Sequence, residues 1–200
     1  MDISEFWTVI EAARSAAAPD GSFADALVDE LASRTEGDIL RYQERFDEVH
    51  DAVYRWDVWA AAYLIGGGCS DDSFMDFRAG LIALGRDWYE RVAACPDSLA
   101  EHPAVIAAVG AHDDHVLFYE DVNYAASGAF RRVTGGGRDF YDAWDEYAAS
   151  RDGSRQDSVD MGEDFDFDDP DEVRRRLPRL AALHQLGAPC FPAGGASSSA

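Results

Sequence analysis

The chain has no lysine, a single asparagine (Asn123) and three cysteines in 200 residues. All 17 of its cationic side chains are arginine. Alanine and glycine are abundant. This avoidance of AT-rich codons points to a high-GC bacterial genome; it speaks of source and not of mechanism. Cys69, Cys95 and Cys190 are odd in number and far apart. No pair has the spacing of a zinc site or a redox motif. The opening MDISEFWTVI carries Asp2 and Glu5 and lacks the basic region of a secretory leader, so the expectation is a cytoplasmic protein with reduced thiols. No apolar run approaches the length of a membrane span. No serine sits in a nucleophile elbow, and no glycine run matches a phosphate loop. There is no internal repeat at a fixed period and no convincing strand pattern.

Positive charge is also short. The 17 basic side chains face 39 acidic ones, a net charge of −22. Binding to a phosphate backbone needs a basic surface, so nucleic acid is excluded as a partner. Docking on anionic lipid is excluded for the same reason. The balance permits a basic protein partner or divalent cations, and it serves solubility in any case.

What remains is a helical sequence with a hydrophobic fraction of 47%, normal for a globular chain. The reading is all-α: a single irregular domain of about seven to nine helices. A helical core covers 1–148. An acidic loop with the composition of a disordered segment covers 149–170. A C-terminal helix, 171–187, returns to the core, kinked or split by Pro178. A flexible tail, 188–200, follows.

The chain is organised around residues 56–92. Trp56, Trp59, Ala60 and Tyr63 share one side of a helix. Gly66, Gly67 and Gly68 end it, since one glycine takes the left-handed conformation and the others let the chain reverse. Ser70, Asp71 or Asp72 then caps the next helix. Phe74, Phe77, Leu81, Leu84 and Trp88 continue it as one apolar stripe. The result is an aromatic-rich helical hairpin.

Elsewhere the pattern places a first helix over Ile3 to Ala17, burying Ile3, Phe6, Trp7 and Ile10. Ser22 caps a second, and Thr35 with Asp38 forms a capping box for a third. Its stripe of Ile39, Tyr42, Phe46, Val49, Val53 and Trp56 either runs on to Trp59 or bends near Arg55 to Asp57. Asp97 or Ser98 caps a short helix over Leu99 to Glu101. A helical pattern runs from about His112 to Arg132, with Val116, Leu117, Tyr124 and Phe130 in the core.

Several segments together resemble the bacterial family catalogued as domain of unknown function 4240. They are FWTVIEAAR, the central YRWDVWAAAYLIGGGCSDDSFMDFRAGLIALGRDWYE, PDSLA, YEDVNYAASGAFRRVTG and the closing RRRLPRLAAL. The resemblance implies a small helical bacterial domain. It carries no activity over to this chain.

The chemistry must therefore come from the residues. Asp71, Asp72 and Asp76 form a D-D-x-x-x-D set that suits a hard cation; capping and dipole complementarity are the plainer reading. Arg78 is placed to pair with Asp71 or Asp72, or to hold a substrate carboxylate as a fork. His112 and His115 at i, i+3 would share a helix face and suit a transition metal; a solvated helix start is the plainer reading. Trp56, Trp59, Asp71, Asp72 and Arg78 make up the candidate pocket. No residue is assigned a catalytic role and no cofactor is assigned. The leading expectation is a non-enzymatic interaction or regulatory domain with an acidic surface. The alternative is a metal-dependent enzyme using Asp71, Asp72 and Asp76 with Arg78.

Overall fold

The computed structural model describes residues 1–18, 21–150 and 160–184. Among the described residues there are twelve α-helices, one 3₁₀ helix and no strand. The chain is all-α, with more and shorter helices than the seven to nine expected.

Helix α1 (Ile3–Ala16) opens on a capping box in which Asp2 and Glu5 satisfy each other's backbone N–H. It buries Phe6, Trp7, Val9, Ile10 and Ala13. Ile3, expected in the core, is exposed. Ser22 caps α2 (Phe23–Ala32), and the Thr35–Asp38 box opens α3 (Glu36–Ala52). The apolar stripe of α3 does not run on as one helix. Val53 closes it, Arg55 is extended, and α4 (Trp56–Gly66) starts afresh.

Gly67 caps α4 in the left-handed conformation at φ 62°, and Ser70 caps α5 (Asp71–Ala83). This is the expected hairpin, but its second arm is shorter than the stripe suggests. Gly85, at φ 88°, divides it, and Trp88 belongs to a separate helix, α6 (Arg86–Ala94). Trp88 packs edge-on against His102, with ring centroids 4.6 Å apart. A 3₁₀ helix (Pro96–Glu101) leads to α7 (Pro103–Ala111).

The segment from His112 is not one helix. His112 closes α7 in the left-handed conformation, and Leu117 also has positive φ. A looped stretch therefore precedes α8 (Glu120–Asn123) and α9 (Ala125–Val133). Leu117 and Phe130 are buried, whereas Tyr124, expected in the core, is 48% exposed.

Helix α10 (Phe140–Ser150) ends the part before residues 151–159, which lie outside the described residues. Residues 160–169 run without helix or strand. Pro178 then splits the C-terminal region into α11 (Pro170–Arg176) and α12 (Pro178–Leu183). The expected tail, 188–200, with Cys190, lies outside the described residues.

Two packing groups share the core. Helix α2 lies against α1 and α9, and α3 also meets α9. Helix α5 packs chiefly on α8, while α12 packs on the 3₁₀ helix. Phe6, Tyr42, Phe74, Phe77 and Phe130 are the largest fully buried side chains.

Candidate functional site

Trp56 and Trp59 lie on successive turns of α4, so their rings stack, 5.4 Å apart and 7° from parallel. Trp59 stacks in turn on Phe74 of α5 at 4.8 Å, and Phe74 on Tyr54 at 5.8 Å. The Arg78 guanidinium closes the row, 4.5 Å from the Tyr54 ring centre and 5.1 Å from that of Phe74. Its Nη1 donates to the His50 carbonyl at 3.2 Å and lies 3.7 Å from a carboxylate oxygen of Asp51. Arg78 is thus a buried cation between two rings and the end of α3, and its charge suits a helix C-terminus. It pairs with neither Asp71 nor Asp72. Asp71 touches only the margin of the row, accepting from the Tyr54 hydroxyl at 3.5 Å. Asp72 is exposed, and Ser70 rather than either aspartate caps the helix.

The candidate pocket is therefore brought together in part. Trp56, Trp59 and Arg78 belong to one continuous row, and that row is covered. The segment 160–169 crosses α4 as a strap. The Met161 carbonyl accepts the Trp56 N–H at 3.0 Å, and the Tyr63 hydroxyl donates to Asp168 at 2.7 Å. The Phe167 ring lies 6.1 Å from Trp56, 6.4 Å from Trp59 and 5.6 Å from Tyr63. Phe165 packs on Phe167 and beneath the Arg176 guanidinium, which also pairs with Glu163 at 3.1 Å. The half-buried rings alternate with Asp164, Asp166 and Asp168, all exposed.

Asp76 goes elsewhere. It is half-buried, accepts from Asn123 Nδ2 at 3.0 Å, and faces a recess of about 270 Å³ with Asp114, His115, Phe118 and Glu120 under the Gly66–Gly68 turn. Burial, reinforced by the Glu120 carboxylate, holds the Asp76 carboxyl above its usual range. A second recess of about 440 Å³, between Ser22, Phe23, Tyr119 and Asp121, shares Phe118 and Glu120 with the first. Carboxylates line both recesses: Asp76, Asp114 and Glu120 in the first, Glu120 and Asp121 in the second.

The histidine pair does not form a ligand set. His112 is a helix cap, and His115 lies in the following turn with its side chain 90% exposed, 3.5 Å from Asp114. Among the described residues, no group of three or more His, Cys, Asp or Glu side chains is placed to hold a metal ion. Cys69 is half-buried, and burial, with Asp76 and Asp71 nearby, pushes its thiol up to about 12. These surroundings favour the thiol over the thiolate.

Sequence reasoning missed Tyr54, Asp51, Asn123 and the two strap phenylalanines. Only the strap carried a signal: Phe165-Asp166-Phe167-Asp168 alternates with period two, the mark of a segment with one face against the protein.

Fold and site together describe an all-helical domain whose aromatic row is capped by its own acidic strap. The chain belongs to the family described as protein of unknown function (DUF4240), whose model matches residues 1–132. The match takes in α1 through most of α9; the closing RRRLPRLAAL and the whole strap lie beyond it. No curated protein and no solved structure matches the chain. No helix among the described residues is long and apolar enough to cross a membrane.

Proposed function

We propose that this protein is an interaction domain whose partner is a basic protein. One observation supports the reading above others: the chain consumes its own cations. Every arginine in the described residues other than Arg131 is ion-paired within the chain. Arg131 alone among the described residues is then left to offset the acidic surplus on the surface. Among the described residues, Asp142 and Asp145 of α10 and Asp164 and Asp166 of the strap are exposed and carry no ion pair. Such a surface draws in a basic partner and turns away acidic ones.

The metal-dependent alternative loses its convergence, because Arg78 and Asp76 serve different places and Asp72 faces solvent. The test is affinity capture by the full chain, compared with a variant carrying Asp142→Asn, Asp145→Asn, Asp164→Asn and Asp166→Asn. The proposal expects a basic protein held by the native chain and weakened at least tenfold by the four changes. An acidic or neutral partner, or equal capture by both forms, would contradict it.

A further inference from the structure

We infer that the strap is a releasable cover. The α4 face beneath it docks a segment of the basic partner bearing two aromatic residues separated by one other. The inference rests on the reading that the partner is basic, and it adds the surface and the shape of what binds there.

The strap itself shows the shape. Phe167 lies beside Trp56, Trp59 and Tyr63, and Phe165, with one residue between them, packs edge-on against Phe167. The face does not depend on the strap for its form, since Trp59 is already held by Phe74 and by its own Nε1–H, which donates to the Cys69 carbonyl at 3.1 Å. Release strands no buried polar group. The Trp56 N–H is a first-turn helix donor that water can satisfy, and the Tyr63 hydroxyl stands at the surface. Two direct hydrogen bonds and the half-buried Phe167 ring, backed by Phe165, hold the strap on α4.

Charge opposes that hold. Residues 160–169 carry six exposed carboxylates, Asp160, Glu163, Asp164, Asp166, Asp168 and Asp169, within a molecule of net charge −22. Within a Debye length of about 10 Å their mutual repulsion is felt. A competitor with the same two rings and cations in place of the carboxylates keeps the apolar contact and turns repulsion into attraction. An apolar centre with a charged rim is the arrangement that carries binding at protein interfaces. The strap also lies outside the family-matched residues 1–132, while the face it covers lies inside them.

The experiment uses the full chain, native and Phe165→Ala/Phe167→Ala, with two labelled heptapeptides followed by fluorescence anisotropy. Both peptides are arginine-rich. One has two phenylalanines separated by one arginine, and the other has alanines in their place. The aromatic peptide should bind the double variant at least tenfold tighter than it binds the native chain. The alanine peptide should bind both proteins alike and more weakly. Equal binding of the two peptides to the double variant would overturn the inference and leave the basic-partner reading standing. Binding of neither peptide to either protein would remove both. If circular dichroism shows the double variant unfolded, hydrogen exchange on the native chain decides. Saturating aromatic peptide should speed exchange across residues 160–169, and unchanged exchange would overturn the proposal.

Discussion

Asp97 sits in the 3₁₀ helix, yet it caps a helix 82 residues further on. Its buried carboxylate accepts the Arg179 N–H at 3.0 and 3.1 Å, the Leu180 N–H at 2.9 Å, and Arg179 Nε at 3.0 Å. Helix α12 has no side-chain cap of its own, so Asp97 supplies it. The sequence shows Asp97 beside Ser98 after Pro96 and invites a local capping role; nothing local reveals that its donors come from beyond Pro178. Loss of such a cap, with the ion pair to Arg179, costs about 2 kcal/mol. Asp97→Ala should therefore lower the thermal midpoint by roughly 4 to 8 °C in a chain of this size. His50 is the second residue whose role was hidden. It is buried against Phe46, with Nε2–H donating to the Met75 carbonyl at 2.9 Å. Burial, with Arg78 beside it, lowers its pKa from 6.5 to about 4. The folded chain therefore prefers the neutral ring. This contribution to stability is complete above pH 6.5 and is lost as pH falls toward 4. Between those limits the loss amounts to about 3 kcal/mol. Denaturant unfolding at pH 7 and pH 4.5 should show most of that loss in the native chain and markedly less in His50→Gln.

At the scale of elements, periodicity was a good guide to which residues form helices and a poor one to where helices stop. The stripe Phe74, Phe77, Leu81, Leu84, Trp88 keeps its rhythm across Gly85, because an apolar face can be shared by two helices that meet at an angle. Only the backbone at Gly85, φ 88°, reveals the break. The stretch from His112 misled for the opposite reason: its polar residues fit a helix face, but two positive-φ residues, His112 and Leu117, turn the chain. That turn exists to pass over α5. A Cβ on Gly80 would overlap the Leu117 carbonyl, so the crossing is possible only because Gly80 has no side chain. Helix propensity alone makes a glycine here a weak point, whereas Gly80 is a contact between two backbones. Gly80→Ala, favourable on helix propensity alone, should instead destabilise the chain by about 3 kcal/mol, read as a lower denaturant midpoint. Gly67→Ala would test a different quantity, the strain of a left-handed cap with open space around it. The strap shows how composition can mislead at this scale. Its acidity suggested a solvated loop, but both of its phenylalanines are half-buried, Phe167 against α4 and Phe165 against Phe167.

For the molecule as a whole, the all-α class followed from hydrophobic period and turn chemistry, and the family from the resemblance of whole segments, most of them within the matched residues 1–132. The candidate site was legible only in part. Trp56 and Trp59 were found from their spacing. Their neighbours Tyr54, Phe74 and Phe167 meet them from three other segments, a meeting that no single stretch encodes. The charge balance is the property that acts over the longest range, and it supports the functional reading. Arginines held in internal pairs leave a field of one sign around the protein, and such a field acts on the rate of encounter more than on the final contacts. The most direct measurement is stopped-flow association of the full chain with its captured partner at about 0.05 M and about 0.5 M salt. The account predicts an association rate at least tenfold lower at the higher salt, because screening removes the steering. A rate that is unchanged or rises with salt would contradict it.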